Sequence, residues 1–392
     1  MQIPQGFTFA VAAAGFKTPD RNDIGVVISK TPATAAGVFT TNRFQAAPVR
    51  VSREALALSD TAHAVCVNSG QANACTGAEG LTHCQETRKM VAKAVGTKPD
   101  QVLVASTGVI GPQLKMDLWR KAMSPLSKSR ATAGVIDVAK AIMTTDTFPK
   151  LAWQSIGKGA REVRVLGFAK GAGMISPNMA TMLGCVMTDA DVPAAQWREI
   201  LREAVNRSFN RVTVDGDTST NDTVFGLANG ASGMSVDTIG REVLLEAVTE
   251  VCRSLAYQIV QDAEGGTKIV HVSVTGAPDN EDAELAARAV GNSPLVKTAM
   301  FGQDPNWGRI AAALGRSGAR FEPEEVSISI AGLCIFENGQ PVDIDFDSLL
   351  VPHLEKPDIH IDIELGNGEG ASSLLASDLT HEYVSINADY RS

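Results

Sequence analysis

Residues 170–183 read KGAGMISPNMATML, with a Val-rich run at 162–168 before them and an apolar run at 182–187 after them. Both flanks have the make-up of short buried strands. The glycines at 171 and 173 and the proline at 177 interrupt that pattern, so two core strands must be joined here by a stretch that continues neither. The stretch sets a hydroxyl residue, Thr181, directly behind a small one, Ala180, near the middle of the chain. A threonine hydroxyl is a weak nucleophile at neutral pH until a base takes its proton. A threonine at a new N-terminus carries that base itself, because a free α-amino group titrates at about 7.7–8.0. Scission between Ala180 and Thr181 would put nucleophile and base on one residue, the terminal-threonine form of triad chemistry. A plain glycine-rich loop, with Thr181 only packing or capping, has the same local pattern.

Composition narrows the function classes. The chain has 392 residues, 44% apolar and 20% charged, ordinary for a globular protein with room for a large core. That length suits two or three domains, yet no repeat, low-complexity tract or Pro/Gly/Ser linker separates them. The net charge of -9 and the lack of a Lys/Arg-rich run argue against a nucleic-acid partner. No stretch approaches the roughly 18 apolar residues of a membrane helix. The opening MQIPQG lacks the basic and apolar regions of a secretory signal. The six cysteines (Cys66, Cys75, Cys84, Cys185, Cys252, Cys334) form no C-x-x-C pair, so reduced thiols in a cytoplasmic protein are expected rather than zinc or redox chemistry. The six histidines share no ligand spacing, and no metal is expected.

Strand and helix patterns alternate without a fixed period. Residues 7–16, 24–29, 64–67 and 101–106 read as short buried strands, and 86–95, 114–123 and 130–143 as helices. Helices are also expected at 194–205 and 241–260. The runs 268–275, 325–330 and 358–364 alternate apolar and polar residues, as half-solvated antiparallel strands do. The architecture reads as α+β, with helices layered on antiparallel or mixed sheet.

Several polar segments have the look of loops that hold chemistry. STGVIG at 106–111 follows a strand and offers the Thr107 hydroxyl beside the Gly108 N–H, two donors able to form an oxyanion hole or a simple strand-to-helix turn. DGDTSTNDT at 215–223 is dense in short polar side chains, either ordering a site or making an Asx-rich loop, and its spacing is not that of an EF-hand. DAEGGTK at 262–268 closes a helix with glycines and sets Glu264 where it can meet a substrate amine or only solvent. GQDPNWGRI at 302–310 is a rigid aromatic turn. Dinucleotide, P-loop and G-x-S-x-G signatures are absent, so no nucleotide cofactor or serine elbow is indicated.

Together with NSGQANACTG at 68–77, TTDTFPK at 144–150 and INADYRS at 386–392, these blocks resemble one family in order and spacing. The run at 170–183 is similar to the processing site of the ornithine acetyltransferase family, bifunctional glutamate N-acetyltransferases of arginine biosynthesis. The resemblance implies a self-processing, amidohydrolase-like fold that cuts itself between Ala180 and Thr181. It implies fragments 1–180 and 181–392 that stay together, two copies of each, without a cofactor. Thr181 would be the nucleophile and Thr107 with Gly108 the oxyanion hole. Thr144, Lys170, Thr181, Glu264, Asn387 and Ser392 would contact substrate, the last being serine where the family often has threonine. Acetyl would pass from N-acetylornithine to Thr181 and then to glutamate, and the resemblance also admits acetyl-CoA as donor. Two other outcomes fit the same residues: a self-processing amidohydrolase or aminopeptidase with water as acceptor, and an uncleaved amino-acid-binding protein without activity.

Overall fold

The computed structural model describes residues 1–175 and 182–389. Among these, the strands are β1 (Phe7–Ala12), β2 (Ile24–Phe39), β3 (Thr61–Asn68), β4 (Val102–Ser106), β5 (Lys150–Ile156), β6 (Val163–Lys170), β7 (Leu183–Thr188) and β8 (Val212–Thr213). They continue as β9 (Thr223–Ala228), β10 (Ile269–Ala277), β11 (Ser327–Ile330), β12 (Leu333–Glu337), β13 (Gln340–Pro341), β14 (Asp358–Glu364) and β15 (Gly370–Ser377). The chain divides into two compact units, Met1–Asn210 with Asp217–Ile259, and Arg211–Gly216 with Val260–Tyr390. Each layers helices on a mixed sheet, so the α+β expectation holds.

The sheet of the first unit runs β4-β3-β2-β9-β7-β6-β5, with β1 paired to β2. Its central strands are continuously apolar because both faces are covered. Val27 packs with Val135, Val138, Phe168 and Phe225, while Val26 and Ile28 turn to the other face and pack with Val91, Trp119 and Leu126. Lys30, Thr31 and Pro32 end the strand pattern expected at 24–29, yet β2 runs on to Phe39. The reason is local: those residues are exposed where the register with β3 shifts, between Ile28 and Ala33. The helix expected at 130–143 is only Val135–Ala141, since Gly134 lies outside it and donates its N–H to Asp137 Oδ2 at 2.8 Å, starting the helix there.

β6 and β7 are neighbours, antiparallel, with Lys170 opposite Leu183. The flanks of the 180/181 junction therefore lie side by side in one sheet. β7 pairs in turn with β9 in parallel, Leu183 opposite Thr223.

The second unit's sheet runs β13-β12-β11-β14-β10-β15-β8. The alternation expected in β14 is present: Ile359, Ile361 and Ile363 are buried against Ala283, Ala286 and Val290 of the helix Asn280–Gly291. The antiparallel expectation needs correcting at one place. β10 and β14 run parallel, Val272 opposite Ile361, while β11 pairs with β14 and β15 with β10 in antiparallel fashion. Alternation reports that one face is covered and says nothing of the neighbour's direction. All six cysteines are free, and burial pushes the thiols of Cys84, Cys185 and Cys252 up to about 12, which keeps them unreactive.

Trp197, on the helix Ala194–Asn206, is fully buried and lies against Gly226, where a Cβ would come within 3.0 Å of the indole. Trp197→Ala leaves a cavity and is expected to cost about 3–5 kcal/mol. A urea-unfolding midpoint unchanged from wild type would contradict this packing.

Candidate active site

β4 ends at Ser106 and hands the chain to Thr107 and Gly108. The position of that turn is fixed by amides. Asn68 accepts the Ser106 hydroxyl on Oδ1 at 2.6 Å, and its carbonyl accepts the Thr107 N–H at 2.9 Å. Asn221 donates from Nδ2 to the carbonyls of Ser106 at 2.8 Å and Ala72 at 2.6 Å. These bonds use the Thr107 N–H, and the Thr107 side chain is buried. Gly108 has φ +125°, and a Cβ there would fall 2.3 Å from the Gly70 carbonyl carbon, so only glycine fits. Its N–H has no acceptor among the described residues.

Lys170, the last residue of β6, is buried and reaches Thr107 Oγ1 with its ammonium at 3.4 Å, a long hydrogen bond. One carboxylate organises this corner. Asp146 accepts the N–H of Gly171 at 2.7 Å, the N–H of Thr144 at 2.9 Å and the ammonium of Lys150 at 2.8 Å. Burial alone would raise its pKa, but the charges of Lys170 and Lys150 and these hydrogen bonds overcome that and hold it at about 2. Asp146 therefore ties Thr144 to the end of β6, and the Thr144 hydroxyl has no partner among the described residues.

Behind the junction, Met182 N–H donates to Asp222 Oδ1 at 3.1 Å. Asp222 is fully buried. Burial pushes its carboxyl well above the usual range, and the Met182 N–H, Ser219 and the Lys170 charge do not undo it.

The helix Arg241–Gln261 ends just inside the second unit, before the expected glycines, Gly265 having φ +66°. A Cβ on Gly265 would collide with the Tyr383 backbone, so this turn lies directly on the helix His381–Asp389. That helix carries Asn387, which donates from Nδ2 to Glu264 Oε2 at 2.9 Å and to the Tyr383 carbonyl at 3.0 Å. The GQDPNWGRI segment is a helix joint: Asn306 caps Trp307–Gly315 by accepting the Arg309 N–H at 3.1 Å. Ala180, Thr181 and Ser392 lie outside the described residues. Among the described residues no group of three or more His, Cys, Asp or Glu converges as a metal site would.

The first unit thus gathers Thr107, Gly108, Thr144 and Lys170, and the second pairs Glu264 with Asn387. Asp146, Asn68, Asn221 and Asp222 were not singled out in the sequence. Each sits within a quoted polar block, but nothing in the letters says which polar residue of a block is buried.

A hydroxyl, an amide N–H without an acceptor among the described residues and an ammonium lie together at the ends of two buried strands, groups of the kind that acyl-transfer chemistry uses. The chain belongs to the ArgJ family, whose model matches residues 8–392. The arginine biosynthesis bifunctional protein ArgJ of Nitratidesulfovibrio vulgaris is 57% identical over 389 residues, 99% of each chain. The protein of that name from Synechocystis is 43% identical over 398 residues, covering 99% of this chain and 96% of its own. The crystal structure of arginine biosynthesis bifunctional protein argJ from Bacillus halodurans covers 53% of this chain and 98% of its own, at 36% identity and a TM-score of 0.51.

Two outcomes test this geometry. Gly108→Ala is expected to abolish acyl transfer, because strain and collision displace the turn. Activity near wild type would contradict the close approach to Gly70. Asp146 has a folded-state pKa below its unfolded value, so its stabilisation is full above about 4 and disappears as pH falls through about 2. The gap in thermal midpoint between wild type and Asp146→Asn should be constant near neutrality and close across that acid window. A gap that widens on acidification would contradict the charge assignment.

Proposed function

We propose that this chain transfers acetyl from N-acetylornithine to glutamate through an acetyl ester on Thr181, after cutting itself between Ala180 and Thr181. The observation that carries the reading is the pairing of Lys170 with Leu183, beside the Thr107 hydroxyl and the Gly108 N–H. Chain connectivity keeps residue 181 within two residues of that pair.

The freed α-amine takes the Thr181 hydroxyl proton, and the oxygen attacks the acetyl carbonyl. The Thr107 hydroxyl and Gly108 N–H stabilise the oxyanion, each such donor being worth about 10²–10³-fold. Ornithine leaves with a proton from the amine, glutamate enters, and the steps reverse. Passing through an ester divides one difficult exchange into two easier ones. Acetyl moves between two amines, so the balance needs no nucleotide to drive it. Lys170 binds a substrate carboxylate, Glu264 a substrate amine, and Thr144, Asn387 and Ser392 complete the contacts. Acetyl-CoA serves as a second donor, which starts the cycle. Fragments 1–180 and 181–392 assemble as two copies of each in the cytoplasm. The antiparallel pairing of β6 with β7 supports their remaining together, since a cut in their connection leaves the sheet bonds intact.

Thr181→Ala is expected to give one full-length band on a denaturing gel and no acetyl transfer. Two bands would mean the cut lies elsewhere. Thr107→Ala should lower kcat by about 10²-fold with little change in KM. A change confined to KM would contradict the oxyanion role.

A further inference from the structure

In the first unit a cleft of about 350 Å³ lies between the loop at 43–45 and the run at 75–77, and the exchange between amino acids does not use it. Small-molecule sites span about 300–1,000 Å³, so it can hold part of a ligand. Arg43, Phe44 and Gln45 line one side, Cys75 and Gly77 the other, and Arg50 of the helix Ala47–Leu58 completes it. No acidic residue lines it, in a chain whose net charge is -9. The guanidinium groups of Arg43 and Arg50 have no partner among the described residues. Arg53, one turn beyond Arg50, is by contrast engaged: it donates to Gln45 Oε1 at 3.3 Å and to the Thr40 carbonyl at 3.4 Å, and lies over the Phe39 ring. Phe44 is 72% exposed beside the two free cations.

The walls are fixed before any ligand arrives. The Phe44 N–H donates to Asn42 Oδ1 at 2.9 Å, and Asn42 Nδ2 to the Thr218 carbonyl at 3.0 Å. The Ala46 N–H donates to the Thr220 carbonyl at 2.9 Å and the Ala47 N–H to the Asn73 carbonyl at 3.0 Å. Opposite them, Gly77 opens the helix Gly77–Val95, whose first turn has no side-chain cap because the Thr76 hydroxyl donates to Asn73 Oδ1 at 2.8 Å. A guanidinium fork matches a phosphate's oxygens, and an exposed ring matches the face of a base. An amino-acid carboxylate would use neither the second cation nor the ring.

We propose that this cleft holds the phosphate-bearing adenosine end of acetyl-CoA, with Arg43 and Arg50 on the phosphates and Phe44 on the adenine. The inference rests on the reading above that acetyl-CoA serves as a second donor. The cleft and the Thr107–Gly108 turn are two sides of one bonded ribbon. The Ala72 N–H donates to the Val109 carbonyl at 3.1 Å, and the Gly111 N–H to the Ala74 carbonyl at 3.1 Å. Val109 follows Gly108 and Cys75 follows Ala74, so Cys75 lies at most roughly 20 Å from Gly108. An extended pantetheine arm covers that span and brings its acetyl end to the oxyanion donors. N-acetylornithine has no phosphate and no ring, so the cleft serves one donor and not the other.

Cys75 supplies a probe in the wild-type protein, since it is exposed while the other cysteines are buried or half-buried. Its alkylation by iodoacetamide is followed by peptide mass with desulfo-CoA, adenosine 3′,5′-bisphosphate or inorganic phosphate present. Either nucleotide, at about ten times its Kd, is expected to slow labelling by about 10-fold, and phosphate at the same concentration is not. Arg43→Gln and Arg50→Gln are each expected to raise KM for acetyl-CoA by about 10-fold, with the lysine variants recovering part of the loss. KM for N-acetylornithine is measured alongside, and an equal rise there overturns the proposal. So does labelling that neither nucleotide slows, or that phosphate slows as well as they do. Adenosine bisphosphate that protects Cys75 without competing with acetyl-CoA overturns it in favour of a free nucleotide. If the variants do not fold, wild-type labelling and competition decide. Wild-type protein that makes no N-acetylglutamate from acetyl-CoA and glutamate would instead overturn the second-donor reading, whereas normal use of acetyl-CoA with KM indifferent to both arginines overturns the cleft alone.

Discussion

One buried carboxylate, paired with one buried ammonium and within the field of a second, holds the corner of the candidate site together. Asp146, Lys150 and Lys170 are all removed from solvent. Taking three charges out of water is costly unless they meet one another in good geometry. Here Lys150 meets Asp146 at 2.8 Å and the charge of Lys170 bears on it, while the same carboxylate spends its remaining lone pairs on the N–H groups of Thr144 and Gly171. One residue thereby ties the end of β6 to the loop at 144–150. Replacing it with an isosteric amide would leave two buried ammonium groups without their counter-charge.

Amides do the corresponding work on the other side of the site. Asn68 and Asn221 grip Ser106 and Thr107 from two directions, so the turn after β4 needs no charge of its own. The Thr107 hydroxyl, beside the Lys170 ammonium, and the Gly108 N–H, which has no acceptor among the described residues, are donors of the kind an oxyanion needs. The strain at Gly108 is tolerated because glycine alone has no Cβ to meet Gly70. Preorganisation of this kind places the cost in folding rather than in the chemical step. Beyond Met182, the polar run 215–222 contributes its last residue, Asp222, to the same region.

Much of the fold was legible in the letters, and the gaps have physical causes. Strands covered on both faces, such as β6 and β7, announce themselves as apolar runs. β14 announces its single covered face by alternation. The direction of β14 against β10 was not legible, because pairing direction leaves no mark on alternation. The extension of β2 past residues 30–32 was hidden by exposed Lys30, Thr31 and Pro32 at a register shift. The candidate site was proposed from residue types unusual for their place, Thr107 and Gly108 after a strand and glycines ahead of Thr181, and the structure brings Lys170 to the Thr107 hydroxyl. Asp146 and Asp222 were hidden because short polar blocks look solvated, and only the packing of distant strands around them makes them dry. Glu264 was visible at a helix end, but its pairing with Asn387 depends on a helix more than a hundred residues later.

The central claim is that breaking one peptide bond creates a threonine able to deprotonate itself and carry an acetyl group. The most direct measurement is an intact-mass spectrum of freshly purified protein after brief exposure to N-acetylornithine. The account predicts two polypeptides meeting at Ala180 and Thr181, with the second heavier by one acetyl group. A single uncut chain in active material, or two fragments with no acetyl on the one that begins at Thr181, would contradict it.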